Sequence, residues 1–289
     1  MAMTLSIRKL NGSLGAEIRG VNLSTPLNPD TKSEIEAAWK SFGVLVFRNQ
    51  NISDAEHVVF SRQFGELEVL PETDRTDAAI PEIFILSNVD SSGKILPAES
   101  EAVIFNSLTW FWHTDSCYRK IPSKGAILHG IEVVKDDGGE TRFANLRQAL
   151  EEMPSSLRRR IEGLEGQHSW SWMRSSRSLP PMTPEEEAQV PPVQHKLIRT
   201  HGDGSQSLYI SPIYMRQIVG WGEEETRSLV EELTEWATQD RFVYEHSWLQ
   251  HDVVMWDNTW TMHMVLPYDA TSQRRIMHRT AITGVEAVL

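Results

Sequence analysis

The strongest constraint on how this chain can fold is a pair of potential metal ligands two residues apart and a third one far downstream. His113 and Asp115 lie in Trp110-Phe111-Trp112-His113-Thr114-Asp115, and His263 ends the run Thr259-Trp260-Thr261-Met262-His263. On an extended strand, side chains two apart point to the same side. One strand end can therefore supply two ligands and a distant strand the third. Two imidazoles and a carboxylate can occupy one face of a metal and leave the other face open, the arrangement of non-heme Fe(II) oxygenases. By itself the His-x-Asp tripeptide is a weak motif, because an isolated histidine is more often a satisfied polar residue than a ligand. The segment around His263 strengthens it.

Val253 to Trp256 is a short apolar run that suits a buried strand, Asp257-Asn258 is turn chemistry, and His263 falls in the next extended stretch. Beyond it comes Gln273-Arg274-Arg275-Ile276-Met277-His278-Arg279-Thr280. Arg275 and Arg279 have the same parity on a strand, so both can face one side. Two inward guanidiniums need anions, since an unpaired buried charge is costly, and arginine suits bidentate carboxylate recognition. Surface arginines with solvated heads are the other reading of the same spacing.

The rest of the chain patterns as β-rich α+β. Leu5 to Leu10 alternates like a strand. Pro29 to Phe42 has helical spacing and ends at Gly43, and Val44 to Phe47 reads as a buried strand. Ser53 with Glu56 forms a capping box. It opens a helix with Val58, Val59 and Phe60 inward, closed by Gly65. Glu82 to Val89 and Ala126 to Val134 read as strands, Leu146 to Glu151 and Ser155 to Leu164 as short helices. Glu223 to Gln239 is the clearest helix, with Leu229, Leu233, Trp236 and Ala237 as its apolar stripe. Residues 167–194 are loop-like yet carry Trp170, Trp172 and Met173, as an active-site lid would.

These pieces, in order, resemble the Fe(II)/2-oxoglutarate-dependent dioxygenases of the taurine and phenoxyacetate-herbicide type. The matching segments include Gly43-Val44-Leu45-Val46-Phe47-Arg48, Phe60-Ser61-Arg62-Gln63-Phe64-Gly65 and Trp112-His113-Thr114-Asp115-Ser116. Gly138-Gly139-Glu140-Thr141, Val254-Met255-Trp256-Asp257-Asn258 and Gln273 through Arg279 follow. Ser87-Asn88-Val89 and Trp236-Ala237-Thr238-Gln239 are closer to the herbicide-degrading branch. The resemblance implies a double-stranded β-helix, or jelly roll, with covering helices in a single domain, 1–289. It implies His113, Asp115 and His263 as catalytic iron ligands, with Fe(II), 2-oxoglutarate and O2 as cofactor and cosubstrates. Thr141 and Arg275 would bind the distal carboxylate of 2-oxoglutarate, and Arg279 the anionic end of the substrate. Tyr214 and Arg216 fall where the family places substrate-side residues, and Trp110 and His201 are further pocket candidates. Met264 departs from the family, where many relatives carry a basic residue after the ligand histidine.

The implied reaction is oxidative decarboxylation of 2-oxoglutarate, giving CO2 and succinate, coupled to hydroxylation of a C–H bond in a small anionic substrate. An aryloxy or other aromatic carboxylate is expected, with cleavage where the carbon bears an ether oxygen. Sulfonates and N-acyl amino acids are the alternatives within the family. Outside it stand a cupin-type metal hydrolase using the same triad, against which Arg275 and Thr141 argue, and a non-catalytic binder of aromatic acids. The net charge of −12 argues against nucleic acid as a partner. No stretch approaches the roughly 18 apolar residues of a membrane span, and Met1 to Leu10 has no signal pattern. The one cysteine, Cys117, fits a reducing cytoplasm and reads as a small buried residue. Homo-oligomerisation is left open. His57, His129, His195, His246, His251 and His278 read as structural or surface residues.

Overall fold

The structure, a computed structural model, describes residues 5–69, 79–177 and 179–288. Its first third contains β1 (Ser6–Lys9), β2 (Ala16–Arg19), α1 (Pro29–Phe42), β3 (Val44–Phe47), α2 (Asp54–Arg62), β4 (Phe84–Ser87) and α3 (Glu101–Ser107). Next come β5 (Gly125–Glu132), β6 (Thr141–Asn145), α4 (Leu146–Glu151), α5 (Ser155–Ile161), β7 (Glu165–His168), α6 (Trp170–Ser176) and α7 (Pro184–Gln189). The remainder is β8 (Val193–Lys196), β9 (Ile198–Thr200), β10 (Gln206–Leu208), β11 (Met215–Ile218), α8 (Glu223–Ala237), β12 (Val243–His246), β13 (Val253–Asp257), β14 (Thr261–Val265) and β15 (Ile276–Ile282).

A seven-stranded sheet, ordered β1-β2-β3-β13-β5-β15-β4, faces a three-stranded sheet, β12-β6-β14. Strand register decides which side chains meet between them. Val46, Val254, Leu128, Arg279 and Phe84 form one row across the large sheet. Paired residues share a face, so this row and its neighbour Trp256 point at the small sheet. Phe143, Tyr244 and Trp248 meet them there, in a buried cluster with Val44, Val46, Leu128, Val254 and Trp256. The far side of the large sheet, through Leu45, Phe47, Ile127, Val253 and Met255, packs on Ile35 and Trp39 of α1 and Phe60 of α2. The far side of the small sheet, through Ala144 and Met262, packs on α4 and α8 by way of Leu146, Leu150, Leu229 and Leu233. Strand alternation thus feeds three apolar layers.

The helices start and stop where local chemistry directs. Asn28 caps α1 by accepting from Thr31 N, Pro29 takes the first turn, and Gly43 ends it at φ 70°. The Ser53–Glu56 capping box opens α2 as expected. Val59, expected inside, is exposed at 46%; three consecutive helical positions span about 200°, more than one packed face covers. The helix ends at Arg62 rather than running to Gly65. The described residues of 167–194, which leave out 178, form more than a loop. They comprise the end of β7, α6, α7 and the start of β8, in a three-stranded sheet ordered β11-β7-β8. The remaining two-stranded sheet pairs β10 with β9. Among the described residues no helix is long and apolar enough to cross a membrane.

The histidines expected to be structural are deeply placed. His57, His129, His195 and His246 are buried, and His278 bonds Asp54 of α2 at 2.6 Å. His129 and His278 are register partners on the helix-covered side of the large sheet, where His57 approaches His129 with ring centroids 6.1 Å apart. Burial holds the His57 pKa down at about 3 and the His129 pKa at about 4, in each case helped by a neighbouring histidine. Both groups titrate near 6.5 when unperturbed. Between pH 6.5 and pH 4 the unfolded chain therefore binds protons that the fold does not, and stability falls with pH in that window. Each such imidazole costs up to about 1.4 kcal/mol per pH unit. Urea unfolding followed across pH should give a flat midpoint above 6.5 that declines steadily towards 4; a constant midpoint there would mean that these imidazoles are already solvated in the fold.

Candidate active site

His113, Asp115 and His263 come together. Each offers one ligand atom, all within 4.8 Å of one another, and all three residues are buried. His263 sits mid-way along β14 opposite Phe143 of β6, on the face that looks at the large sheet. Its ring lies 4.8 Å from Trp256 and 5.9 Å from Phe143, centroid to centroid. His113 and Asp115 do not share a regular strand, contrary to the expectation from their spacing. His113 makes an isolated bridge to His263, by reciprocal backbone bonds of 2.9 and 2.8 Å. Asp115 opens a turn in which Ser116 has φ 55°. The intervening Thr114 is tied the other way: its N–H donates to Ser211 Oγ at 3.0 Å and its hydroxyl donates to the Ile210 carbonyl.

The donor atoms suit a divalent metal. His113 Nδ1 bonds the Phe111 carbonyl at 2.7 Å, which leaves Nε2 as its ligand atom and fixes the tautomer. His263 Nε2 lies 3.8 Å from Asp115 Oδ2. That oxygen is buried with no hydrogen-bond partner among the described residues, an orphan that a cation would satisfy. Burial pushes the pKa of both His113 and His263 down, His263 to about 3. Burial would raise the Asp115 carboxyl, but Arg279 and the two imidazoles outweigh it and hold the pKa near 2. Two neutral imidazoles and an ionised carboxylate are the protonation states that metal binding requires.

Arg279 donates from Nη1 to Asp115 Oδ1 at 2.6 Å, with its guanidinium carbon 5.1 Å from the Phe84 ring centroid. Its Nε is buried and has no hydrogen-bond partner among the described residues. Arg275 is buried, its Nη2 has no partner among the described residues, and burial lowers its pKa. Its backbone N–H donates to Asn88 Oδ1 at 2.8 Å, while Asn88 Nδ2 donates to the carbonyls of Ala270 and Gln273. Asn88 therefore pins the approach to β15, a role that sequence spacing gave no means to see. Thr141 opens β6, opposite Val265 of β14 and His246 of β12. It shares parity with Phe143, so it faces the same interior as His263. Its hydroxyl accepts from Trp248 Nε1 at 2.9 Å.

The remaining candidates divide. The Trp110 ring meets Tyr268 edge-on at 5.9 Å, and the Tyr268 phenol lies within the field of Arg275. Tyr214 is buried, stacks on Trp170 at 5.9 Å and lies 5.3 Å from Tyr118; its phenol feels the charges of Asp115 and Arg279. His201 is elsewhere. It bonds Ser207 and lines a cleft of about 320 Å³ with Arg147, Arg199 and Asp257. Arg216 is exposed on β11. Cys117 is buried and its thiol pKa is pushed up by burial. Tyr118, Tyr268 and Trp248 were missed; parity with Tyr244 and His246 on β12 was the available signal for Trp248.

A family model described as "Taurine catabolism dioxygenase TauD, TfdA family" matches residues 6–281. The chain belongs to this family. The alpha-ketoglutarate-dependent 2,4-dichlorophenoxyacetate dioxygenase of Burkholderia sp. (strain RASC) is 32% identical over 255 residues, covering 85% of this chain and 84% of the relative. The (S)-phenoxypropionate/alpha-ketoglutarate-dioxygenase of Sphingobium herbicidovorans is 29% identical over 257 residues, covering 86% and 84%. A crystal structure of AAD-2 with Mn(II) and N-oxalylglycine superposes with a TM-score of 0.88 at 36% identity, over 99% of both chains. A taurine dioxygenase from Burkholderia xenovorans gives 0.78 at 30%, over 98% of this chain and 91% of that one. This TauD/TfdA-family protein is a 2-oxoglutarate-dependent dioxygenase that works with Fe(II), 2-oxoglutarate and O2. The hydrolase and binding-protein alternatives fall away with that assignment.

The redox-silent surrogate Mn(II) isolates binding from turnover. Titrated calorimetrically, His113→Ala should lose Mn(II) affinity by roughly 100-fold, since removing one of three ligands leaves an incomplete facial set. Unchanged affinity would place the metal elsewhere.

Proposed function

We propose that this enzyme hydroxylates an aryloxy carboxylate at the carbon bearing the ether oxygen. The observation that carries the proposal is the convergence of His113, Asp115 and His263 with Arg279, which bonds Asp115 through Nη1 and has an Nε without a hydrogen-bond partner among the described residues. His113, Asp115 and His263 would hold Fe(II), which with 2-oxoglutarate and O2 supplies the chemistry that inserts oxygen into a C–H bond. Arg275 and Thr141 would receive the distal carboxylate of 2-oxoglutarate. Arg279 would orient the substrate's carboxylate through its unpartnered Nε–H while Nη1 stays on Asp115. Positioning of this kind, with water excluded by buried walls, is the protein's share of the catalysis. A hydroxylated aryl-ether carbon is a hemiacetal, so it collapses to a phenol and an aldehyde acid.

Aromatic rings support an aryl substrate: Trp110 with Tyr268, and the Tyr118–Trp170–Tyr214 group. The relatives named for phenoxy acids point the same way. His201 and Arg216 are left out, because one lines a separate cleft and the other is exposed. The two facing sheets, and solved relatives matched over nearly the whole chain, support a single jelly-roll domain spanning 1–289. Residues 167–194 would serve as its lid, since Trp170 of α6 stacks on Tyr214. Cys117, buried and unpaired, is in keeping with a cytoplasmic setting.

Succinate release under Fe(II), ascorbate, O2 and 2-oxoglutarate tests this directly. Aryloxyalkanoates should stimulate it, with phenol as co-product; stimulation by sulfonates or N-acyl amino acids alone would replace the substrate class. Arg279→Ala should raise the substrate KM roughly ten- to hundred-fold while 2-oxoglutarate affinity survives, the loss expected for a hydrogen bond to a charged group. Equal loss of both affinities would overturn the separate roles of Arg275 and Arg279.

A further inference from the structure

The buried indole of Trp248 has no role in the reading above. It lies two residues beyond β12 and shares parity with Tyr244 and His246, so it points into the layer between the sheets with Phe143 and Trp256. Its Nε1–H donates to Thr141 Oγ1 at 2.9 Å. Among the described residues this is the only hydrogen bond of that hydroxyl. A threonine hydroxyl carries one proton and two lone pairs. With one lone pair engaged by an indole that is donor only, the hydroxyl proton is left to be given, not received, and its rotation is restricted.

The indole is itself held from several sides. His246, opposite Thr141 in the β12–β6 register, meets it edge-on at 4.6 Å. His246 is fixed by Tyr244 Oη at 3.1 Å, and its Nε2 lies 3.2 Å from Asp252, which pairs with Arg48. Gly130 of β5 also adjoins the ring: a Cβ there would stand 3.0 Å from Val133 Cγ1 and 3.2 Å from Trp248 Cε3. A side chain there would press on both neighbours.

We infer that Trp248 is a positioning residue for the cosubstrate: it polarises and orients the Thr141 hydroxyl as a dedicated donor to the distal carboxylate of 2-oxoglutarate. This rests on the proposed clamp of Thr141 and Arg275. Such a hydroxyl favours a keto-acid that ends in a carboxylate over one of the same length that does not.

The test is anaerobic equilibrium binding to the Mn(II)-loaded protein, comparing 2-oxoglutarate with 2-oxopentanoate, which lacks the distal carboxylate. Wild type should prefer 2-oxoglutarate; no preference would sink the clamp itself and this inference with it. Given that preference, Trp248→Phe keeps the ring and removes the donor. It should weaken 2-oxoglutarate about five-fold, the scale of one hydrogen bond, and leave 2-oxopentanoate unchanged. In a Thr141→Val background the same substitution should do nothing more. Equal weakening of both acids, or of neither, would overturn the role of Trp248 while leaving the clamp standing. Should Trp248→Phe not fold, Gly130→Ala crowds the indole, and the same selective loss is expected; its absence would count against the inference equally.

Discussion

The site depends on one layer of packing, the contact of Phe143 and Trp256 across the gap between the two sheets. Their rings lie 5.7 Å apart, and His263 is seated against both. Without that contact the small sheet would have no fixed height above the large one. Asp115, reached from the small-sheet side through His113, could then not meet Arg279 on the large sheet. An ion pair joining residues 115 and 279 at 2.6 Å is thus a readout of sheet-to-sheet registration. Apolar layers are dense and resist small displacements, which makes them suitable mounts for polar groups that must be placed to within a fraction of an ångström.

Electrostatics in this interior work by restriction. The protein carries a net charge of −12, yet half-buried Arg279 on β15 and buried Arg275 just before it keep donors in reserve. Among the described residues Arg279 spends one nitrogen on Asp115 and keeps Nε free, and Arg275 keeps Nη2 free. Buried donors without acceptors are costly, so both sites are poised for anions. The two arginines, four residues apart around a strand that bulges between Ile276 and Met277, serve two carboxylates in the proposed reaction without exchanging roles.

Much of this was legible in the sequence, and the failures are instructive. Helix boundaries set by local chemistry, such as Asn28-Pro29 and Gly43 around α1, follow from caps and φ preferences that neighbours do not override. The buried strands β3 and β13 follow from unbroken apolar runs. The ligand triad could be named from residue types, but its geometry could not. Parity placed His113 and Asp115 on one strand, whereas Thr114 is captured by Ser211 and Ile210 and the chain turns at Ser116. Those partners lie far along the chain, beyond any local rule. Val59 is exposed for a local reason, three successive positions overrunning one helix face, whereas the roles of Asn88 and Trp248 rest on distant partners. Their positions are decided by tertiary contacts to Arg275 and Thr141.

The reciprocal backbone bonds between His113 and His263 set the spacing of the two side chains through the main chain. The imidazoles lie 4.2 Å apart, centroid to centroid. In small zinc modules the ion itself imposes such order; here strand-like pairing of the backbone supplies it.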